Sequence, residues 1–553
     1  MEESDRLVRP TRIQTAASCE IDQTVASRTI SDIVPQRDEY MSEEGMMRLA
    51  VFVGAVLWLA PVLTAGAFGL GLSLATAIAV GCACALGIAA WASRILSTTL
   101  ASALQGDRTL TAVTMVIAAI AIVLIARESV YMADSTQPSY SILPGDPWRV
   151  EHSCMSAYFE AARFANAQTE NLYDRNLYQP RHIGSLKVDA YHYPPPFLLV
   201  PSALRLITTD FFRLRALWFA IQAIVLAATM TGLCAWIGGR MGGIALIGSL
   251  FVLSTPTTIF ALQMGNFQTT AMALGAIALI FLLSRRLWAG GPILAYVALS
   301  KIFPGVLVVY LLGARRWRAV ASIMGAVLGL VALSVWFLGT QPMSAFLHHE
   351  VPEIVSGQAF PQSERPNVVE SNQSFYGLTV RLRLLGASWL DQPTGLAGTS
   401  VYGLLIVLLA VYAGWKARID LSSSAGRALL VQTAIALMTL ASFRSPFVGG
   451  LYGMVSTLWL LTLLVAGSND RKSAAGWLLA LLVCSVGNGL TPSPTFPPTP
   501  FWLTASAAIL IMAMGASIWA VVRSTADFPH READNVRQKE SGAHATHGTP
   551  DSH

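Results

Sequence analysis

Residues Thr109 to Arg127 read TLTAVTMVIAAIAIVLIAR. No charge falls between Thr109 and Ala126, and at ~1.5 Å per residue the run makes a helix of about 28 Å, close to the ~30 Å of a bilayer's hydrocarbon core. Its apolar residues are continuous and do not alternate, which is the pattern of a membrane helix and not of a barrel strand. Comparable runs recur from Met47 to Arg523, near 49–66, 68–92, 109–127, 193–208, 216–236, 241–260, 268–284, 288–313, 317–339, 399–416, 426–442, 448–467, 474–490 and 501–522. The reading is an all-α polytopic integral membrane protein with about 12 to 14 spans.

Composition agrees. Of 553 residues, 54 % are hydrophobic and 12 % charged, with a mean hydropathy of +0.54, whereas a soluble domain carries roughly a quarter charged residues. The net charge of +5 is small, and many Lys and Arg sit in short connections, where they orient a membrane protein; nucleic acid is not an expected partner. Cys19, Cys82, Cys84, Cys154, Cys234 and Cys484 are scattered and mostly inside apolar runs, so neither a disulfide framework nor a metal motif follows.

Two long polar segments, 128–192 and 340–398, and a Pro-rich one from Gly487 to Pro500 separate the runs. Residues 1–48 and 524–553 are polar and expected to be disordered, flanking a membrane domain over 49–523. The first 48 residues hold no apolar signal core, so the first span is expected to act as the signal. The clusters Arg315-Arg316-Trp317-Arg318, Lys416 to Arg427 and Arg471-Lys472 fall on one side if helices alternate. That side is then cytoplasmic, with both termini, and the two large loops face outward from the plasma membrane. Arg285-Arg286 fits this alternation badly, and a broken or re-entrant helix between 241 and 313 would repair it.

Loop 128–192 interleaves Asp134, Asp146, Glu151, His152, Glu160, Asp174, His182, Asp189 and His192 with Tyr140, Trp148, Tyr158, Tyr173, Tyr178, Tyr191 and Tyr193. Aromatic faces stack on sugar C–H groups, and a carboxylate beside a hydroxyl can remove its proton, so the mixture points to carbohydrate; interfacial Tyr and Trp look the same. The loop ends in Tyr191-His192-Tyr193-Pro194-Pro195-Pro196, whose prolines can open a helix at the membrane surface. Asn266 and Gln268, in Gln263-Met264-Gly265-Asn266-Phe267-Gln268, can cap a helix or bond a polar head group. Lys301 lies inside an apolar run broken by Pro304, and an intramembrane cation calls for an anionic partner such as a phosphate; snorkelling to the interface is the other reading. In the second loop Asn372 and Gln373 precede Arg381 and Arg383, guanidiniums suited to a lipid phosphate. Arg444, in Ser442-Phe443-Arg444-Ser445-Pro446, has no acid near it in sequence.

Taken in order, Tyr191-x-Tyr193-Pro194-Pro195, Gly265-Asn266-x-Gln268, Lys301-Ile302-x-Pro304, the Arg315 to Arg318 cluster and Asn372-Gln373-Ser374 resemble glycosyltransferase family 87, over roughly 110–470. The resemblance implies a GT-C fold and an inverting transfer of a hexose, typically mannose. The donor would be a polyprenyl-phosphate sugar and the acceptor a lipid or glycan on the outer face of the plasma membrane. Members use an Asp early in the first outer loop as general base; here that slot falls at Cys154, within His152-Ser153-Cys154. Asp146, Asp134 or Glu151 from a shifted position, or His152, are the candidates to replace it. Lys301, Arg444 and Arg381, with Asn372, Gln373, Asn266 and Gln268, would hold the donor phosphate, and Tyr158, Tyr191, His192 and Tyr193 would touch sugar or acceptor. No obligatory cofactor or metal is expected, because side-chain cations can stabilise the leaving phosphate. The competing readings are a transporter or flippase for a lipid-linked saccharide and a non-catalytic binder of one.

Overall fold

A computed structural model describes residues 43–416, 419–490 and 497–525. The expectation of disordered tails lies, for 1–42 and 526–553, outside the described residues; residues 43–48 already belong to the first helix, Glu43–Gly69. Eight helices among the described residues are long and apolar enough to cross a membrane, and nine if a bent pair counts as one span. The molecule is an all-α polytopic membrane protein, with three very short strands in the first long loop.

Small residues set how the helices meet. Helix Leu74–Leu104 buries Ala77, Gly81, Ala85, Ala89, Ser93 and Ser97, a stripe at four-residue spacing, which lets backbones approach where lipid supplies no hydrophobic drive between helices. A Cβ on Gly81 would lie 2.6 Å from the Thr64 nitrogen, and one on Gly243 would lie 2.5 Å from the Thr99 carbonyl oxygen. Helix Ser424–Ser442 is the most enclosed span and packs against Phe267–Leu283, Val455–Ala466 and Pro500–Thr525. Arg108–Ala133, Trp317–Leu338 and Gln392–Lys416 form the rim, with many exposed Leu, Val and Ile side chains suited to lipid.

Fewer runs are full spans than the count of 12 to 14 predicts, because proline and polar residues break several. The run 193–208 is a short turn of helix at Pro195–Leu198 followed by Leu199–Arg205, too short to cross, since three successive prolines cannot donate to a longer helix. The run 288–313 stops at Lys301 and restarts, giving Leu287–Ser300 and Val306–Gly313. The run 241–260 bends by 61° between Gly239–Leu253 and Pro256–Met264, inside the stretch where the position of Arg285-Arg286 asks for a break. The loop 340–398 is largely helical, including Phe375–Leu384, and its last residues begin the span Gln392–Lys416.

Candidate active site

Both long connections meet over the ends of the central helices around a cavity of about 1160 Å³. Trp148, His152, Cys154, Tyr158, Asp189, His192 and Tyr193 come from the first loop, Phe346 and Phe360 from the second, and Asn266, Gln268, Lys301 and Arg444 from breaks between helices. Among the described residues, Asp189 is the only carboxylate lining it.

A very short piece of sheet places that carboxylate. Strand His152–Ser153 runs parallel to Leu186–Val188 with His152 opposite Lys187 and Ser153 opposite Val188, and the next step of this register brings Asp189 abreast of Cys154. The Asp189 N–H donates to Ser156 Oγ at 3.0 Å, and that hydroxyl donates to the Ser153 carbonyl at 2.6 Å. Asp189 Oδ2 lies 3.3 Å from His152 Nε2, and Trp148 stacks on the imidazole with centroids 4.7 Å apart. Burial raises the Asp189 pKa, and His152 and His192 oppose the rise. Burial likewise pushes the Cys154 thiol up to about 12.

Asp134, Asp146 and Glu151 do not reach the cavity lining. Asp134 closes a local turn onto Thr136, and Asp146 caps the helix Pro147–Glu151 while pairing with Arg149 at 3.0 Å. Glu151 pairs with Lys187 at 2.6 Å. Short acidic residues at chain turns find backbone N–H groups and neighbouring cations first; of the four candidate bases, His152 alone lines the cavity.

Cations line the same cavity. Lys301 caps the broken helix and sets its ammonium 4.5 Å from the centre of the Tyr193 ring, and Tyr193 is fixed by Tyr158, hydroxyl to hydroxyl at 2.8 Å. Arg444 crosses Gly403, where a Cβ would lie 2.6 Å from its Nε. Among the described residues neither Lys301 nor Arg444 forms an ion pair, whereas Arg149, Arg175 and Lys187 are paired to Asp146, Glu353 and Glu151. His192 lines the cavity and reaches Glu350 of the second loop at 2.8 Å, while Tyr191 lies behind the wall and donates to the Pro194 carbonyl.

Asn266 caps Phe267–Leu283 through the Gln268 N–H and turns its amide toward Cys154 Sγ at 3.4 Å. Gly265 before it adopts φ +66°, and a Cβ there would lie 2.4 Å from Met155 Cγ, so glycine alone lets the helix break close onto the first loop.

Asn372, Gln373 and Arg381 are fully buried and outside the cavity lining. Asn372 accepts from the Ser374 and Val448 N–H groups and donates to the Pro446 carbonyl. Gln373 donates to Ser506 at 2.8 Å, and Arg381 donates to the Val369 and Asn372 carbonyls. These residues hold the backbone that carries Arg444, with Phe375 N–H donating to the Phe443 carbonyl at 2.7 Å. Asn372→Ala is expected to cost about 2 to 4 kcal/mol of stability through the buried groups it strands, read as a lower unfolding temperature in detergent.

Asp189 is the residue that sequence reasoning passed over. Its position two residues before Tyr191-His192-Tyr193 is the one signal that could have singled it out among the loop's acids. Trp148, Phe260 and Tyr452 also line the cavity and carry no motif.

No curated protein matches the chain. The model of glycosyltransferase family 87, a GT-C family, matches residues 191–446, a segment that runs from the Tyr191-His192-Tyr193-Pro194 wall through Asn266, Lys301 and the Asn372 scaffold to the loop of Arg444. That match, on a polytopic helical frame with these residues gathered at one cavity, identifies a glycosyltransferase family 87 region over residues 191–446 and supports a membrane glycosyltransferase.

Proposed function

We propose that the protein moves a hexose, with mannose the first candidate, from a polyprenyl-phosphate sugar to a lipid or glycan acceptor at the outer face of the plasma membrane, with inversion. The observation that carries this is the make-up of one cavity. Among the described residues it is lined by a single carboxylate together with Lys301 and Arg444, which form no ion pair, and part of its lining is apolar and exposed: Ile302, Leu404 and Val407 are 69, 59 and 43 % exposed. A nucleotide sugar has no use for such an apolar side, whereas a polyprenyl chain can lie along it and leave its phosphate beside Lys301 and Arg444.

In this reading Asp189 takes the proton of the acceptor hydroxyl as that oxygen attacks the anomeric carbon from the face opposite the phosphate. The C–O bond to the phosphate breaks, and the charge gathering on the leaving group meets Lys301 and Arg444 in a site poor in water. His152 orients Asp189 and stabilises its ionised form. Tyr158, Tyr193 and His192 line the same cavity, where the sugar would sit. The cations supply the charge stabilisation, so the mechanism calls for no obligatory metal.

Photo-crosslinking in membranes tests the donor class. A polyprenyl phosphate with a photoreactive isoprenoid unit is expected to label peptides containing Ile302 and Leu404 or Val407. Labelling confined to other faces of the bundle would contradict it.

A further inference from the structure

The acid wall holds an arrangement that sugar transfer does not require. His152 Nε2, Cys154 Sγ and a carboxylate oxygen of Asp189 lie within 4.8 Å of one another, and the nitrogen and oxygen are already 3.3 Å apart. Three ligands at ~2.0–2.3 Å from a tetrahedral ion stand about 3.3 to 3.8 Å from each other, so a small movement of the thiol completes a three-ligand set. All three residues line the cavity, which leaves the fourth position open to it.

The ligand types select the ion. Imidazole, thiolate and carboxylate together suit a borderline-soft cation such as Zn²⁺, whereas Mg²⁺ and Ca²⁺ take oxygen. The surroundings supply the outer contacts that orient metal ligands. Trp148 stacks on His152, Asn266 donates to Cys154 Sγ, and Ser156 holds the Asp189 backbone.

We propose that His152, Cys154 and Asp189 form a binding site for a divalent cation of the zinc class, and that its occupation switches sugar transfer off. Binding joins the ion to the imidazole nitrogen, the sulfur and a carboxylate oxygen and releases the thiol proton to solvent. The lone pair that would accept the acceptor's proton is then engaged by the metal. The binding half stands on geometry alone; the switch half rests on Asp189 being the base.

The test titrates chelator-washed full-length protein in detergent with Cd²⁺, whose bond to a thiolate gives an ultraviolet charge-transfer band, with Zn²⁺ as competitor. Wild type should show one more cadmium–thiolate site than Cys154→Ser, and His152→Gln, which keeps the thiol, should weaken that site at least tenfold. Equal cadmium–thiolate bands in wild type and Cys154→Ser would overturn the site. Where transfer is measured, Zn²⁺ should inhibit wild type over the concentration range that displaces Cd²⁺, and Cys154→Ser should lose that sensitivity relative to its own metal-free rate. A filled site with undiminished transfer would overturn the switch. A filled site in a protein that transfers no sugar under any condition would support the site and count against the functional reading instead.

Discussion

Asp189→Asn is expected to lower the rate of sugar transfer by about 10²- to 10⁴-fold, the usual contribution of a positioned general base, while donor binding stays within a few-fold of wild type. The substitution keeps the shape of the side chain, so the Ser156 contact of the Asp189 backbone and the parallel pairing of Leu186–Val188 with His152–Ser153 are retained. What is lost is the basic lone pair on the cavity's only carboxylate among the described residues. No other acid can step in without moving the chain, because Glu151 is tied to Lys187 and Asp146 to its helix cap and Arg149. Single-turnover transfer and equilibrium donor binding separate the two effects. Near wild-type turnover by Asp189→Asn would return the role to His152.

Arg444→Ala has the second largest expected effect and the opposite signature. An ionised phosphate losing one charge-assisted hydrogen bond loses about 1.5 to 3 kcal/mol, so kcat/KM for the donor should fall about 10- to 150-fold. The side chain is exposed in the cavity and pairs with no acid among the described residues, so the unfolding temperature should hardly change. Arg444→Lys keeps the charge without the planar fork and should recover part of the loss. Unchanged kcat/KM in Arg444→Ala, with folding intact, would remove this guanidinium from the donor site. Asn372→Ala should instead lower stability first, since it acts on the loop that carries Arg444 and touches no substrate in this account.

The fold was legible because membrane helices announce themselves locally: a run such as Thr109–Arg127 needs no partner to be read. Where the reading miscounted spans, a local residue had broken the run, as Lys301 does between Leu287–Ser300 and Val306–Gly313. Lys301, Arg444, Asn266 and Gln268 stood out for the same reason, as polar groups in apolar surroundings, and all four line the cavity. Asn372, Gln373 and Arg381 share that character but spend their hydrogen bonds on backbone and Ser506. A buried scaffold and a ligand site use the same residue types, and only the positions of the partners tell them apart. Asp189 was hidden for a different reason. Its place depends on two residues of parallel pairing across more than thirty residues of loop, too short a ladder to leave any period in the sequence.

Asp189, on the neighbouring strand, stands abreast of Cys154, the position where the family resemblance expects an acid. A carboxylate therefore lines the same cavity as Lys301 and Arg444.

The most direct test is transfer of radiolabelled sugar by the reconstituted protein in liposomes with crude membrane lipid as acceptor. Synthetic polyprenyl-phosphate mannose, its glucose and arabinose counterparts, and the matching nucleotide sugars are offered in parallel, with Asp189→Asn as control. The account predicts transfer from a polyprenyl-phosphate hexose, mannose foremost, none from any nucleotide sugar, and loss of transfer in Asp189→Asn. Transfer from a nucleotide sugar, or folded wild-type protein that uses none of the lipid-phosphate donors, would contradict it.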